Sequence, residues 1–184
     1  MNILEIFTNS ILLIITLDNE LWDIILLSLF VSFTALIIAS LLGFIVGYYF
    51  AIYNFYFKKI ILIIINSLMG IPPVVVGLIV YFIFASGGPL GILQLLYTPS
   101  AMIIAQTIII FPIIASLSHE IFSKNWFEFK DQIRSLNIPF WGSVKLLFNH
   151  SYFLLITTLL SAFGRAISEV GAVMIVGGNI DHYT

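Results

Sequence analysis

Apolar residues in this chain run in long unbroken blocks rather than alternating with polar ones. A membrane helix needs about 20 predominantly apolar residues to cross a hydrocarbon core of about 30 Å. Four runs of that length are bounded by polar residues, at about 21–54, 58–84, 100–117 and 152–176. The pattern therefore predicts an all-α, polytopic transmembrane helix bundle. A shorter run near the N-terminus is interrupted by Glu5, Thr8, Asn9 and Ser10, so residues 1–20 are expected to form an interfacial helix rather than a span. No Lys or Arg precedes that run, and acidic Asp18, Glu20 and Asp23 follow it, which is not the pattern of a cleavable signal peptide.

Composition agrees with the pattern. Hydrophobic residues make up 61% of the 184 and charged residues 9%, and the mean hydropathy is +1.14; soluble domains carry about 25% charged residues. A formal net charge of -2 offers no basic surface for nucleic acid. With no cysteine, disulfides, thiolate metal sites and thiol nucleophiles do not arise.

The cations set an orientation, because Lys and Arg accumulate in loops on the cytoplasmic side. Lys58 and Lys59 precede the second run, and Lys124, Lys130, Arg134 and Lys145 lie between the third and fourth. Residues 85–98 carry no charge, and 177–184 carry no Lys or Arg. This alternation predicts an external N-terminus. Four crossings would leave the C-terminus outside as well, so at least one further helix returning to the cytoplasm is expected. Trp22, Trp126 and Trp141 fall where interfacial aromatic anchors belong.

Several positions within this frame carry chemistry. Residues 118–150 separate two membrane helices by far more than the usual 2–8 residues. They are expected to form a cytoplasmic loop built as helix (127–136), turn (Asn137-Ile138-Pro139) and helix (141–148) on the membrane surface. Arg165 and Glu169 stand four apart inside the fourth run, on one helix face and able to pair. A single charge near a helix centre costs about 2.5–3.5 kcal/mol on insertion scales, so the pair either locks this helix to its neighbours or lines a polar route or gate. Pro72 and Pro73 near the middle of the second run, and Pro112 in the third, remove backbone donors where lipid offers no replacement. Gly43 and Gly47 form a small-residue face suited to close helix packing. His119 and Glu120 have no further ligand at metal spacing and read as a solvated helix end.

The long loop resembles the coupling loop of ABC importer permeases, which reads Glu-Ala-Ala, three residues, then Gly. Here Asp131-Gln132-Ile133 stands at the acidic triplet and Asn137 at the glycine, with Leu136 and Pro139 beside it. Asp replaces Glu, both Ala positions are larger, and Asn replaces Gly. Asn tolerates a left-handed backbone better than other non-glycine residues, so the turn can survive. The stretch Phe163-Gly164-Arg165-Ala166-Ile167-Ser168-Glu169-Val170-Gly171-Ala172, followed by Met174-Ile175-Val176-Gly177-Gly178-Asn179-Ile180, resembles molybdate, sulfate and especially tungstate permeases. The tungstate branch is favoured by Gly70-Ile71-Pro72-Pro73-Val74-Val75-Val76-Gly77-Leu78, by Gly88-Pro89-Leu90-Gly91 and by residues 98–106.

The resemblance implies a type I importer fold in a prokaryotic cytoplasmic (inner) membrane, with a second permease copy, two ATP-binding subunits and an extracytoplasmic oxyanion-binding protein. It implies no cofactor on this chain, ATP and Mg being bound by the partner ATPase. It further implies that Asp131, Gln132, Ile133, Leu136, Asn137 and Pro139 dock that ATPase. Arg165, Ser168, Glu169, Pro72 and Pro73 are the candidates for the translocation path or gate. No Gly-x-x-x-x-Gly-Lys-Ser/Thr motif is present, so the energy must come from another subunit. The alternatives are a molybdate or sulfate permease, or a membrane scaffold without transport. An intramembrane enzyme lacks a nucleophile and base at depth, and a secondary carrier would be expected to show repeated halves that are not visible here.

Overall fold

The computed structural model describes residues 19–178, with side chains from 21 onward. The expected interfacial segment is therefore outside the described residues, except that positions 19 and 20 open the first helix. The helices are α1 (Asn19–Ile52), α2 (Lys58–Leu68), α3 (Pro73–Phe84), α4 (Pro99–Ser135), α5 (Phe140–Ser168) and α6 (Val170–Gly177), with one 3-10 turn, Gly91–Leu93. No strand occurs among the described residues. The described residues form an all-α bundle with three helices long and apolar enough to cross a membrane, or four if α2 and α3 form one bent span.

The two long helices α1 and α4 form the spine. Val31, Ala35, Ala39, Gly43, Gly47 and Ala51 recur every four residues along α1, and all are buried. Their small size lets the backbones approach: a Cβ on Gly43 would stand 2.8 Å from Ile114 Cγ2, and one on Gly47 would collide with the Ser118 hydroxyl. Lipid is as apolar as these side chains, so close packing rather than exclusion of water holds the pair. The Ser118 hydroxyl also donates to the Gly43 carbonyl at 3.3 Å.

Residues 118–150 differ from the expected surface-lying helix pair. α4 runs 37 residues without a break and α5 runs 29, so only residues 136–139 between them are non-helical. At 1.5 Å per residue α4 is about 55 Å long, well beyond a hydrocarbon core of about 30 Å. No Gly or Pro lies between Ile113 and Ile138 to stop the helix, and its buried face continues past the apolar run through Ser118, Phe122, Asn125 and Ile133. The feature is thus a hairpin of long helices joined by a four-residue elbow. Pro112 is buried inside α4, which continues through it.

The second and fourth expected spans are each divided instead. α2 and α3 meet at 102° across residues 69–72, where Pro72 caps α3 and Pro73 occupies its first turn. Proline supplies no amide donor there, and the first turn of a helix requires none. α5 ends at Ser168, and α6 starts anew after Glu169.

Candidate translocation element and coupling elbow

The two interruptions come together. α3 and α6, the short second halves of broken spans, pack side by side through glycine. A Cβ on Gly77 would lie 2.9 Å from Ala172 Cα, and one on Gly171 would lie 3.2 Å from Val74 Cγ2. The far end of α6 is pinned by the uncharged connection between α3 and α4, where the Tyr97 amide donates to the Val176 carbonyl at 3.0 Å. Gly177 faces the Met102 side chain of α4.

At the α5–α6 break, Glu169 has φ −88° and ψ 81°, outside helical values. Carbonyls in the turn before such a break lose their usual donors, and at membrane depth protein must replace them. The Ala166 carbonyl accepts from the Glu169 amide at 3.4 Å and from Gln106 Nε2 of α4 at 3.1 Å. Gln106 is 4% exposed, and its Oε1 has no hydrogen-bond partner among the described residues.

The candidate gate residues therefore sit at two adjoining joints. Arg165 Nε and Glu169 Oε1 are 2.8 Å apart, with side-chain exposures of 40% and 14%, so the ion pair bridges the end of α5 and the break. Ser168 donates to the Arg165 carbonyl at 2.9 Å, which spends its hydroxyl on its own helix. Pro72 and Pro73 begin α3 beside Val74, which faces Gly171. Sequence reasoning assigned no role to Gln106 or Asn66. Asn66 Oδ1 accepts from the Ser116 hydroxyl at 2.5 Å and ties α2 to α4 ahead of the α2–α3 bend. In both cases the available signal was a lone side-chain amide in an apolar run.

The second candidate region is the elbow between α4 and α5. Asn137 is left-handed, with φ 50°. The Ile138 amide donates to the Ile133 carbonyl at 3.0 Å and the Asn137 amide to the Arg134 carbonyl at 3.2 Å. These are the two bonds of a Schellman C-cap, with Asn where Gly is usual. Ile133 is 4% exposed and anchors the turn, while Asp131, Gln132, Leu136, Asn137 and Pro139 are exposed. Around them Leu136 (71%), Trp141 (77%) and Phe127 (75%) also face outward, and Lys130 Nζ lies 4.7 Å above the Phe127 ring. Behind the elbow, Tyr48 of α1 meets Phe140 and Phe122 edge-on at 5.9 and 5.6 Å, and Asn125 Nδ2 donates to Ser151 Oγ at 2.5 Å. No group of three or more His, Cys, Asp or Glu able to hold a metal ion occurs among the described residues.

This arrangement of broken spans and a protruding helical elbow can be set beside known proteins. The chain is 39% identical over 182 residues to the tungstate uptake system permease protein TupB of Peptoclostridium acidaminophilum, covering 99% of this chain and 80% of that one. It is an ABC transporter permease of the anion-uptake family. The "Probable anion ABC transporter permease protein" of Haloferax volcanii is 38% identical over 153 residues, covering 83% of this chain and 66% of that permease. TupB of Campylobacter jejuni is 38% identical over 133 residues, covering 72% and 55% respectively. No family profile matches the chain. Membership in this family makes the chain a multi-pass membrane permease.

Proposed function

We propose that the chain is the membrane-spanning subunit of an ATP-driven tungstate importer. The observation that carries this reading is the 39% identity to a tungstate uptake permease along 99% of the chain. The proposed assembly has two copies of the permease, two ATP-binding subunits that hold ATP and Mg, and an extracytoplasmic oxyanion-binding protein. It lies in the cytoplasmic membrane with the N-terminus outside, the orientation that puts Lys58, Lys59 and the elbow on the ATPase side.

In this mechanism the exposed apolar rim of Leu136, Phe127 and Trp141, together with Asp131 and Gln132, docks into the ATPase. Because α4 and α5 run unbroken from the elbow into the membrane, displacement of the elbow moves both as levers. The α2–α3 and α5–α6 breaks absorb that motion, since an interrupted backbone ladder bends more readily than a continuous one. The path then alternates between the two sides. A tetrahedral dianion crossing it meets hydroxyls, amides and the partly neutralised Arg165.

The test is uptake of tungstate, molybdate and sulfate into proteoliposomes that contain the permease, its ATPase and its binding protein. ATP-dependent tungstate uptake in excess of the others is the expected result. ATP-dependent uptake of molybdate or sulfate instead would reassign the substrate, and no uptake of any oxyanion would remove the importer reading.

A further inference from the structure

The contact between Gln106 and the Ala166 carbonyl has a feature that a purely structural bond lacks. Gln106 is 96% removed from solvent by its 4% exposure, yet only one end of its amide is used. Nε2 bonds the carbonyl before the break at 3.1 Å, and Oε1 has no partner among the described residues. A fixed polar pair inside a membrane bundle is normally satisfied at both ends, because an unpaired buried acceptor is costly. A half-satisfied amide on a continuous helix, facing a carbonyl released by an interruption in the next helix, fits one of two arrangements of a joint.

Resting on the transport reading above, we infer that Gln106 is the positioning residue of the outer gate: its amide latches the α5–α6 break against α4 in this conformation and releases it when the gate opens. The gate element is α6 with α3 packed on it through Gly77 and Gly171. The latch lies on the α4 face that also carries Met102, the residue against which Gly177 of α6 packs. Those two α4 positions, four apart, hold the last turn of α5 before the break, through Ala166, and the end of α6, through Gly177. Arg165 and Glu169 shape the break itself and do not replace the latch, since they pair with each other at 2.8 Å.

The test uses the full chain with its ATPase and binding protein in proteoliposomes, at matched amounts of inserted permease. ATP-independent tungstate efflux is followed beside ATP-driven uptake. Gln106→Met keeps the length and apolar packing of the side chain but has no amide; ATP-independent efflux is expected to rise about tenfold or more, the scale of one lost buried hydrogen bond of about 1.4 kcal/mol. Gln106→Glu separates a latch from bulk. Its neutral acid can donate to the Ala166 carbonyl, whereas its ionised form cannot. Efflux should therefore fall towards wild type as pH is lowered and climb as pH rises, while wild type stays flat. The charged groups at the joint are Arg165 and Glu169; the segments 24–52 of α1, 73–84 of α3 and 170–177 of α6 contribute no Asp, Glu, Lys, Arg or His. Wild-type efflux in Gln106→Met, or a leak in Gln106→Glu that ignores pH, overturns the latch.

A second readout is independent of transport. The sequence contains no cysteine, so Met102→Cys with Gly177→Cys reports the α4–α6 contact by oxidative crosslinking. Adding Gln106→Met should slow crosslinking at least threefold, and an unchanged rate overturns the latch. If wild type transports no oxyanion, the importer reading fails and the crosslinking rate alone decides the role of Gln106.

Discussion

Gly77 of α3 and Ala172 of α6 meet backbone to backbone: a Cβ on Gly77 would stand 2.9 Å from the Ala172 Cα and 3.1 Å from its carbonyl oxygen. Neither of those atoms can rotate away as a side-chain tip could. Gly77→Val should therefore push α3 off α6 and cost about 1–3 kcal/mol, the usual range for overpacking. Gly87 in the connection after α3 has nothing within 4 Å of the same position, so Gly87→Ala should leave stability within about 0.5 kcal/mol of wild type. Thermal unfolding of both variants in detergent checks the contrast. Equal midpoints would mean that the α3–α6 contact is not held by this close approach.

Asn137 supports a second prediction, because its φ of 50° ends α4 in a left-handed residue. Asn137→Gly should keep ATP-driven uptake close to wild type, glycine being the usual residue at this cap position. Asn137→Val places a β-branched side chain where an L-residue pays about 1–2 kcal/mol or more, and with Asp131→Ala it should lower the uptake obtained per ATP hydrolysed while leaving membrane insertion intact. Uptake and hydrolysis measured on the same proteoliposomes decide the point. Unchanged coupling in both Asn137→Val and Asp131→Ala would remove the elbow from energy transfer.

The elbow also shows which features could be read from the chain alone. Asn137 was legible because left-handed tolerance is a property of one residue and its neighbours. Likewise the apolar runs announced the membrane, since that signal is a local sum over about 20 residues. What could not be read were the ends of elements that tertiary contacts extend or interrupt. Residues 118–135 are polar enough to resemble a loop, yet Phe122, Asn125 and Ile133 find buried partners, and helix α4 continues through them. Conversely, 152–176 is apolar enough to look like one span, yet Gln106 from another helix supplies a donor to Ala166 beside the break after Ser168. A contact 60 residues away in sequence leaves no local trace.

Asn125 and Ser151 extend the same argument to the base of the helical hairpin. Asn125 is 7% exposed and Ser151 1% exposed, and the amide donates to the hydroxyl across α4 and α5. Ser151→Ala would leave that amide donor buried and unpaired, at about 1–3 kcal/mol. Replacing both members with apolar residues, Asn125→Leu with Ser151→Ala, should recover part of the loss, because no polar group is then stranded. Unfolding midpoints for the two variants test this; a double variant less stable than Ser151→Ala alone would show that shape, not pairing, governs the site.

The final prediction concerns Arg165 and Glu169, where the two side chains differ in exposure, 40% against 14%. Removing one charge leaves the other in an apolar setting, and the cost depends on which is stranded. Arg165→Leu strands the less exposed Glu169, whereas Glu169→Leu leaves an Arg whose long side chain can reach water or lipid headgroups. Arg165→Leu should therefore be the more damaging single change to both stability and ATP-driven uptake. The double variant should be better than the sum of the singles, with a coupling of about 0.5–3 kcal/mol as for residues in direct contact. A stability cycle measured alongside uptake separates structure from transport. If the double variant regains stability but not uptake, the charges serve the moving anion or its gate; if it regains both, the pair does no more than secure the break between α5 and α6.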